Sequence, residues 1–173
     1  LRGWLNYKDK IIINGLLSSN SFQKIFDALR ADNPELFYID NSKISITGVM
    51  GAFYINVKFL YRKSECEQYK EQINSIVANV IKSAASSSDK IQFLHDYLAK
   101  TVEYAADMSA SESYNIIGPF LKKQAVCEGY SRAFKLLCEK VEGCSCIIVY
   151  LMYIFAVIIN GMRISGLAAK QKA

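Results

Sequence analysis

The segment that decides the fold runs from residue 124 to residue 134 and reads QAVCEGYSRAF. Apolar side chains recur at spacings of three and four after Cys127. The spacing predicts an amphipathic helix from about Cys127 to Val141, which Gly143 ends. Its apolar stripe consists of Tyr130, Phe134, Leu137, Cys138 and Val141.

Cys127 falls at the predicted start of this helix. Unpaired backbone N–H groups and the helix dipole favour a thiolate there, which makes Cys127 a candidate nucleophile. The same N–H groups, with the side-chain amide of Gln124, could stabilise a developing oxyanion. A cysteine at a helix start is also often a small buried residue, and both interpretations stay open.

Two further helices precede this segment. The first is predicted from about Ser64 to Ala85, with Ser64 and Glu67 at capping-box spacing. The second is predicted from Asp89 to about Val102, and the serine run 86–88 separates the two. We therefore expect an N-terminal α+β region at 1–86 and a core at 87–173 that contains the cysteine helix and an apolar tail.

Strands are predicted nearer the N-terminus. A helical stripe from Phe22 to Leu29 ends before Asn33-Pro34, and Leu36 to Ile39 then suggests a strand. Asp40 to Ser42 suggests a turn, and Gly48 is expected to break the next alternating run. Apolar and polar residues alternate from Phe53 to Phe59. Strands followed by helices indicate an α+β fold.

The tail carries no charge from residue 143 to residue 162. This length would suit a membrane span, with Arg163 and later lysines as flanking anchors. The runs at 147–150 and 154–159 are rich in β-branched and aromatic residues, which favours two buried strands instead. Asn160-Gly161 is a turn signal. An uncovered tail of this kind also predicts a homodimer.

Composition excludes several classes of protein. The 173 residues are 51% hydrophobic, and this apolar content argues against a disordered protein. The net charge is +5. No dense Lys/Arg run is present, so we predict no nucleic-acid partner. His95 is the single histidine, and Cys144 and Cys146 are too close for the usual zinc spacing. We predict no metal and no cofactor.

The motif around Cys127 resembles the transglutaminase-like superfamily. The resemblance rests on VCEGYSRAF at 126–134, on Leu136-Leu137 and on CIIV at 146–149. The segments KIQFLHDYL at 90–98 and NPELFY at 33–38 resemble regions of bacterial members. The resemblance implies a papain-like α+β cysteine proteinase fold and a Cys-His-Asp triad. It further implies peptide or amide hydrolysis, or acyl transfer, through a thioester on Cys127.

The chain departs from the family after the cysteine helix. No histidine and no aspartate follows Cys127. We expect a fold that is incomplete at the C-terminus through truncation or a frameshift, and a domain that is inactive as it stands. His95 is either a core-edge residue or a substitute base. The alternative function is a degenerate, non-catalytic domain that binds a peptide or a cell-envelope partner.

Overall fold

The computed structural model describes residues 2–14, 19–49, 51–142, 144, 146–151, 154–159 and 162–164. Helices and strands are mixed along the chain, which confirms the predicted α+β class. The chain divides into two compact units, 1–68 and 69–173. The boundary expected at 86/87 stays a prediction.

The first unit contains a three-stranded antiparallel sheet in the order β1-β3-β2. Its core is aromatic: Trp4, Phe26, Phe37 and Tyr38 are buried. Of the predicted helical stripe, Phe22 is also buried but Ile25 is exposed. The elements are α1 (Arg2–Leu5), β1 (Lys10–Asn14), α2 (Ser19–Asp32), β2 (Ile39–Val49), β3 (Ala52–Phe59) and the start of α3 (Lys63–Ala84).

The strand predicted from Leu36 to Ile39 is wrong except at its last residue. Pro34 to Leu36 form a 3-10 turn, in which the Leu36 N–H donates to the Asn33 carbonyl at 3.0 Å. Proline fixes φ in the range that the first turn of a helix needs, so the chain turns before it extends. Strand β2 begins only at Ile39.

The turn expected from Asp40 to Ser42 is an irregularity within β2. The Asp40 carboxylate accepts hydrogen bonds from the Ser42 backbone N–H at 3.0 Å and from its hydroxyl at 2.6 Å. The register with β3 shifts between Asp40 and Ser45, as in a β-bulge. Gly48 does not break the strand, which continues to Val49.

Helix α3 begins one residue before Ser64, and its first turn is capped by a different glutamate. The Arg62 backbone N–H donates to the Glu65 carboxylate at 2.7 Å, so Glu65 reaches back over the first turn. Glu67 instead accepts a hydrogen bond from the Tyr7 hydroxyl at 3.0 Å. The capping box predicted for Ser64 and Glu67 is therefore wrong.

The second unit holds the remaining helices and two small sheets. Helix α4 begins after Asp89, whose carboxylate accepts the Gln92 N–H at 2.9 Å, in agreement with the predicted start. Helix α5 ends at Cys138, three residues before its predicted end. The elements are α4 (Lys90–Thr101), β4 (Glu103–Tyr104), β5 (Gln124–Ala125), α5 (Cys127–Cys138), β6 (Cys146–Leu151), β7 (Ile154–Ile159) and β8 (Met162–Ile164), with a 3-10 turn at Ser111–Tyr114 and a π-helical turn at Gly118–Lys122.

The apolar tail forms strands, as its β-branched residues predicted. The expected burial is wrong at Ile147, which is 49% exposed. Strands β6, β7 and β8 make an antiparallel sheet in chain order. No helix in the described ranges has the length and apolar character that a membrane crossing needs. Gly143, predicted to end α5, and Asn160-Gly161, predicted to form a turn, lie outside the described residues. The pairing of β7 with β8 extends to Ile159 and Met162, the residues that flank Asn160-Gly161.

Candidate active site

Main-chain hydrogen bonds fix the chain immediately before Cys127. Strands β4 and β5 are parallel, with Glu103 opposite Gln124 and Tyr104 opposite Ala125. The Val126 N–H then donates to the Ser113 carbonyl at 3.0 Å. The residue that precedes the cysteine is therefore held through its backbone, independently of the side chains around it.

Two glycines allow this close packing. A Cβ on Gly129 would lie 2.3 Å from the Ser113 oxygen, and one on Gly118 would lie 2.5 Å from the backbone oxygens of Gln124 and Glu112. Real Cβ atoms do not approach an oxygen this closely, so both positions need glycine for space. The glycine two residues after Cys127 thus sets the first turn of α5 directly against the Ser113 backbone.

Cys127 is the first residue of α5 and is half-buried, whereas residues 129 to 138 of the same helix are buried. Val126 is the N-cap residue of α5, and its apolar side chain offers no acceptor to the N–H groups of the first turn. The N–H groups of a first helical turn have no acceptor within their own helix. The thiol therefore lies beside the positive end of α5, in agreement with its predicted position.

The carboxylate next to Cys127 is paired. Glu128 Oε1 lies 2.7 Å from Arg132 Nη2, one turn along the helix, and both side chains are largely buried. The Arg132 guanidinium therefore offsets the charge of the Glu128 carboxylate.

Gln124 occupies β5 with an exposed side chain, three residues before the cysteine. Its backbone is paired with Glu103 of β4. Its role as an oxyanion donor stays a prediction.

His95 lies on α4, and its contacts are with Asp96 and Phe134. Its Nδ1 is 3.2 Å from Asp96 Oδ1, and its ring meets Phe134 edge-on at 6.4 Å between centroids. The side chain is 31% exposed. Hydrogen bonds from His95 and then from Gln92 hold the pKa of Asp96 below its ordinary value.

Phe134 is seven residues beyond Cys127, a distance of about 10 Å along a helix axis. Among the described contacts, the structure brings His95 to the second half of α5 and not to the cysteine at its start. His95 therefore borders the core, and its role as a base stays a prediction.

Tyr130 joins α5 to the end of α4. Its hydroxyl donates to the carbonyl of Val102, and its ring is buried. Burial and then the charge of Glu103 raise its pKa to about 12. Sequence analysis placed Tyr130 in the apolar stripe and missed this bond. A phenol in the stripe is the signal that could have indicated it, because buried tyrosines usually find an acceptor.

Within the described ranges, no group of three His, Cys, Asp or Glu side chains could hold a metal ion. The groups that the structure places at Cys127 are its thiol and the backbone N–H groups at the start of α5.

The chain is similar to solved structures rather than to any family model or curated protein. No family model matches the chain, and no curated protein matches it. A solved structure described as the crystal structure of a TGase is similar, with a TM-score of 0.45 and 13% sequence identity. The similarity covers 95% of this chain and 52% of that one, so the chain spans about half the length of that protein.

Proposed function

We propose that the chain is a transglutaminase-like domain in which Cys127 is the nucleophile of an acyl transfer. The observation that carries the proposal is the position of Cys127 as the half-exposed first residue of the buried helix α5. The sequence motif around it supports the same function. The substrate class is a peptide or protein that offers a carboxamide or an amide bond.

The reaction follows from the groups beside the thiol. The Cys127 thiolate adds to the carbonyl carbon, and the oxygen takes the negative charge in the tetrahedral intermediate. We propose that the N–H groups at the start of α5, with the side-chain amide of Gln124, donate to that oxygen. Collapse of the intermediate breaks the C–N bond, the amine leaves with a proton from solvent, and a thioester remains. Water or a second amine then releases the acyl group.

The missing triad residues limit the rate. No histidine follows Cys127, and the one histidine of the chain contacts Asp96 and Phe134 instead. Loss of one triad partner costs several orders of magnitude in rate, so we expect the chain to acylate slowly. The placement of His95 also favours the second candidate function, a non-catalytic domain that binds a peptide or a cell-envelope partner.

The reactivity of the thiols tests the nucleophile. Iodoacetamide labels Cys127 in the tryptic peptide 124–132, separately from the other cysteines. We expect alkylation of Cys127 at about pH 7, where an ordinary thiol with a pKa near 8.5 reacts slowly. Cys144, which is also half-buried, is the matched control for access. Labelling of Cys127 no faster than Cys144, Cys66 and Cys138 would contradict the proposal.

Acylation separates the two candidate functions. The protein is incubated with a glutaminyl peptide and with an activated acyl ester, and its intact mass is measured. We expect a covalent adduct that C127S does not form and that hydroxylamine removes. A reactive thiol that forms no adduct, together with saturable peptide binding in both proteins, would favour the binding domain.

A further inference from the structure

A short turn earlier in the chain carries the main-chain contacts that hold Cys127. The 3-10 turn Ser111–Tyr114 contains the Ser113 carbonyl, which accepts the Val126 N–H at 3.0 Å and packs against Gly129. Ser113 is 5% exposed, so these contacts are shielded from water. They are made by backbone atoms, but the position of the turn that makes them depends on one side chain.

That side chain is the buried amide of Asn115. Its Nδ2 donates to the Ser111 carbonyl at 3.2 Å, and its Oδ1 accepts the Ile117 N–H at 2.8 Å. Its backbone N–H donates to the Glu112 carbonyl at 3.1 Å. Asn115 is only 6% exposed. Loss of either side-chain bond would leave a buried polar group unsatisfied, so the amide fixes the start of the turn to the segment that follows it.

The segment that follows Asn115 makes a second close contact with the chain before Cys127. Ile117 precedes Gly118, where a Cβ would lie 2.5 Å from the Gln124 backbone oxygen. Asn115 therefore lies between the two points, Ser113 and Gly118, at which this part of the chain packs on the cysteine segment. The hydrogen bonds of one side chain connect both points.

We propose that Asn115 is a positioning residue for the Cys127 thiol. It acts through the Ser113 carbonyl, which holds Val126 and the first turn of α5. The N–H groups and the dipole of that turn favour a thiolate only at short range, so their effect depends on where the sulfur lies. This inference rests on the proposed function, because position affects the reaction only if Cys127 is the nucleophile.

The pH dependence of Cys127 labelling tests the proposal on the full chain. Iodoacetamide labelling in the tryptic peptide 124–132 is measured at about pH 7 and about pH 9, below and above the pKa of an ordinary thiol. We expect Asn115→Ala to lower the ratio of the first rate to the second about threefold, the size of a helix-dipole effect. A change in access alone would alter both rates together. An unchanged ratio would overturn the proposal.

Asn33→Ala is the matched control in the first compact unit. The Nδ2 of Asn33 donates to the Leu29 carbonyl at 2.6 Å, and this acceptor also lies four residues earlier in the chain. The variant loses a similar hydrogen bond and should leave the Cys127 ratio unchanged. An equal fall of the ratio in both variants would show a general loss of stability and would overturn the role of Asn115.

Hydrogen exchange of the unaltered protein tests the same connection if Asn115→Ala fails to fold. The Ile117 N–H is bound to the Asn115 side chain, and the Val126 N–H is bound to the Ser113 carbonyl. We expect both amides to exchange with the same dependence on low urea concentrations, because they open together. Exchange of the Ile117 amide while the Val126 amide stays protected would overturn the proposal.

Failure of the proposed function would give a different result. Wild-type Cys127 would then label no faster than Cys144 at about pH 7, while the Ile117 and Val126 amides would still exchange together.

Discussion

Gly129 shows how one residue without a side chain determines where the candidate nucleophile lies. Its α-carbon packs so closely on the Ser113 backbone that no other residue fits without movement. Two residues earlier in the same turn, Cys127 takes its position from that contact. The Cys-x-Gly spacing of the sequence therefore has a steric cause, because position 129 must lack a Cβ for the first turn of α5 to pack on the Ser113 backbone.

We expect Gly129→Ala to lower the free energy of unfolding. The added Cβ would lie 2.3 Å from the Ser113 oxygen, and overpacking of this kind costs about 1–3 kcal/mol or more. The better helix propensity of alanine, worth about 1 kcal/mol, offsets only part of that cost. Denaturant unfolding measures the change. A variant as stable as the wild type would show that the first turn can move away from Ser113.

Ser131→Ala is the matched control within the same helix. The Ser131 hydroxyl is buried and has no hydrogen-bond partner among the residues that the structure describes. Removing an unsatisfied buried hydroxyl should leave stability unchanged or raise it by about 1 kcal/mol. Loss of stability in both variants would mean that α5 tolerates no change at all, and would remove the steric argument for Gly129.

Helices were predicted well at the scale of the element because their signals are local. The apolar stripe of α5 and the aspartate at the start of α4 are local signals, each carried by residues within a few positions of one another. Strands β4 and β5 were missed, since each has two residues and no periodicity can appear. Their pairing joins residues twenty-one positions apart, Glu103 and Gln124.

The candidate site was predicted to a similar extent and for the same reason. The position of Cys127 at a helix start follows from local spacing. That of His95 against Phe134 depends on how α4 and α5 pack, which no short segment encodes. The hydrogen bonds from Tyr130 to the Val102 carbonyl and from Lys135 to the Cys146 carbonyl also join different elements of the fold. No short segment of sequence predicts them.

The cap of α4 gives a prediction for a single element. Asp89→Ala removes the acceptor of the Gln92 N–H, which should cost about 1 kcal/mol in the free energy of unfolding. Asp89→Asn keeps an acceptor at the same place and should retain most of that stability. Urea unfolding of the two variants compares them directly. Equal losses would mean that the charge of Asp89 matters, rather than its hydrogen bond.

For the molecule as a whole, each compact unit contains a buried tyrosine that must stay protonated. Burial raises the pKa of Tyr38 to about 12 and that of Tyr130 to about 12, above the ordinary value of 10.0. Both hydroxyls donate to backbone carbonyls, of Trp4 and of Val102.

The homodimer that the apolar tail was expected to form stays a prediction. Light scattering, which measures the molar mass in solution, would test it.

We expect stability to fall in alkali. A raised tyrosine pKa stabilises the folded state fully below the unfolded value of about 10, and this stability is lost as the pH rises towards 12. The urea concentration at the midpoint of unfolding should therefore decrease as the pH is raised from about 10 to about 12. Tyr130→Phe should lessen that fall and cost about 1 kcal/mol at neutral pH through the lost hydrogen bond. Tyr104→Phe, at a side chain that is 44% exposed, is the control. An identical fall in both variants would contradict the assignment.

The main-chain bonds that hold Val126 and β5 have a consequence for protein engineering. Because carbonyls of Ser113, Lys123 and Ala125 make these contacts, the side chains there contribute little to the position of the cysteine. A combinatorial library could vary the exposed positions Tyr104 and Met108 freely while the codons of Gly118 and Gly129 stay fixed. The chain thus offers a preformed thiol scaffold into which selection could introduce a new base.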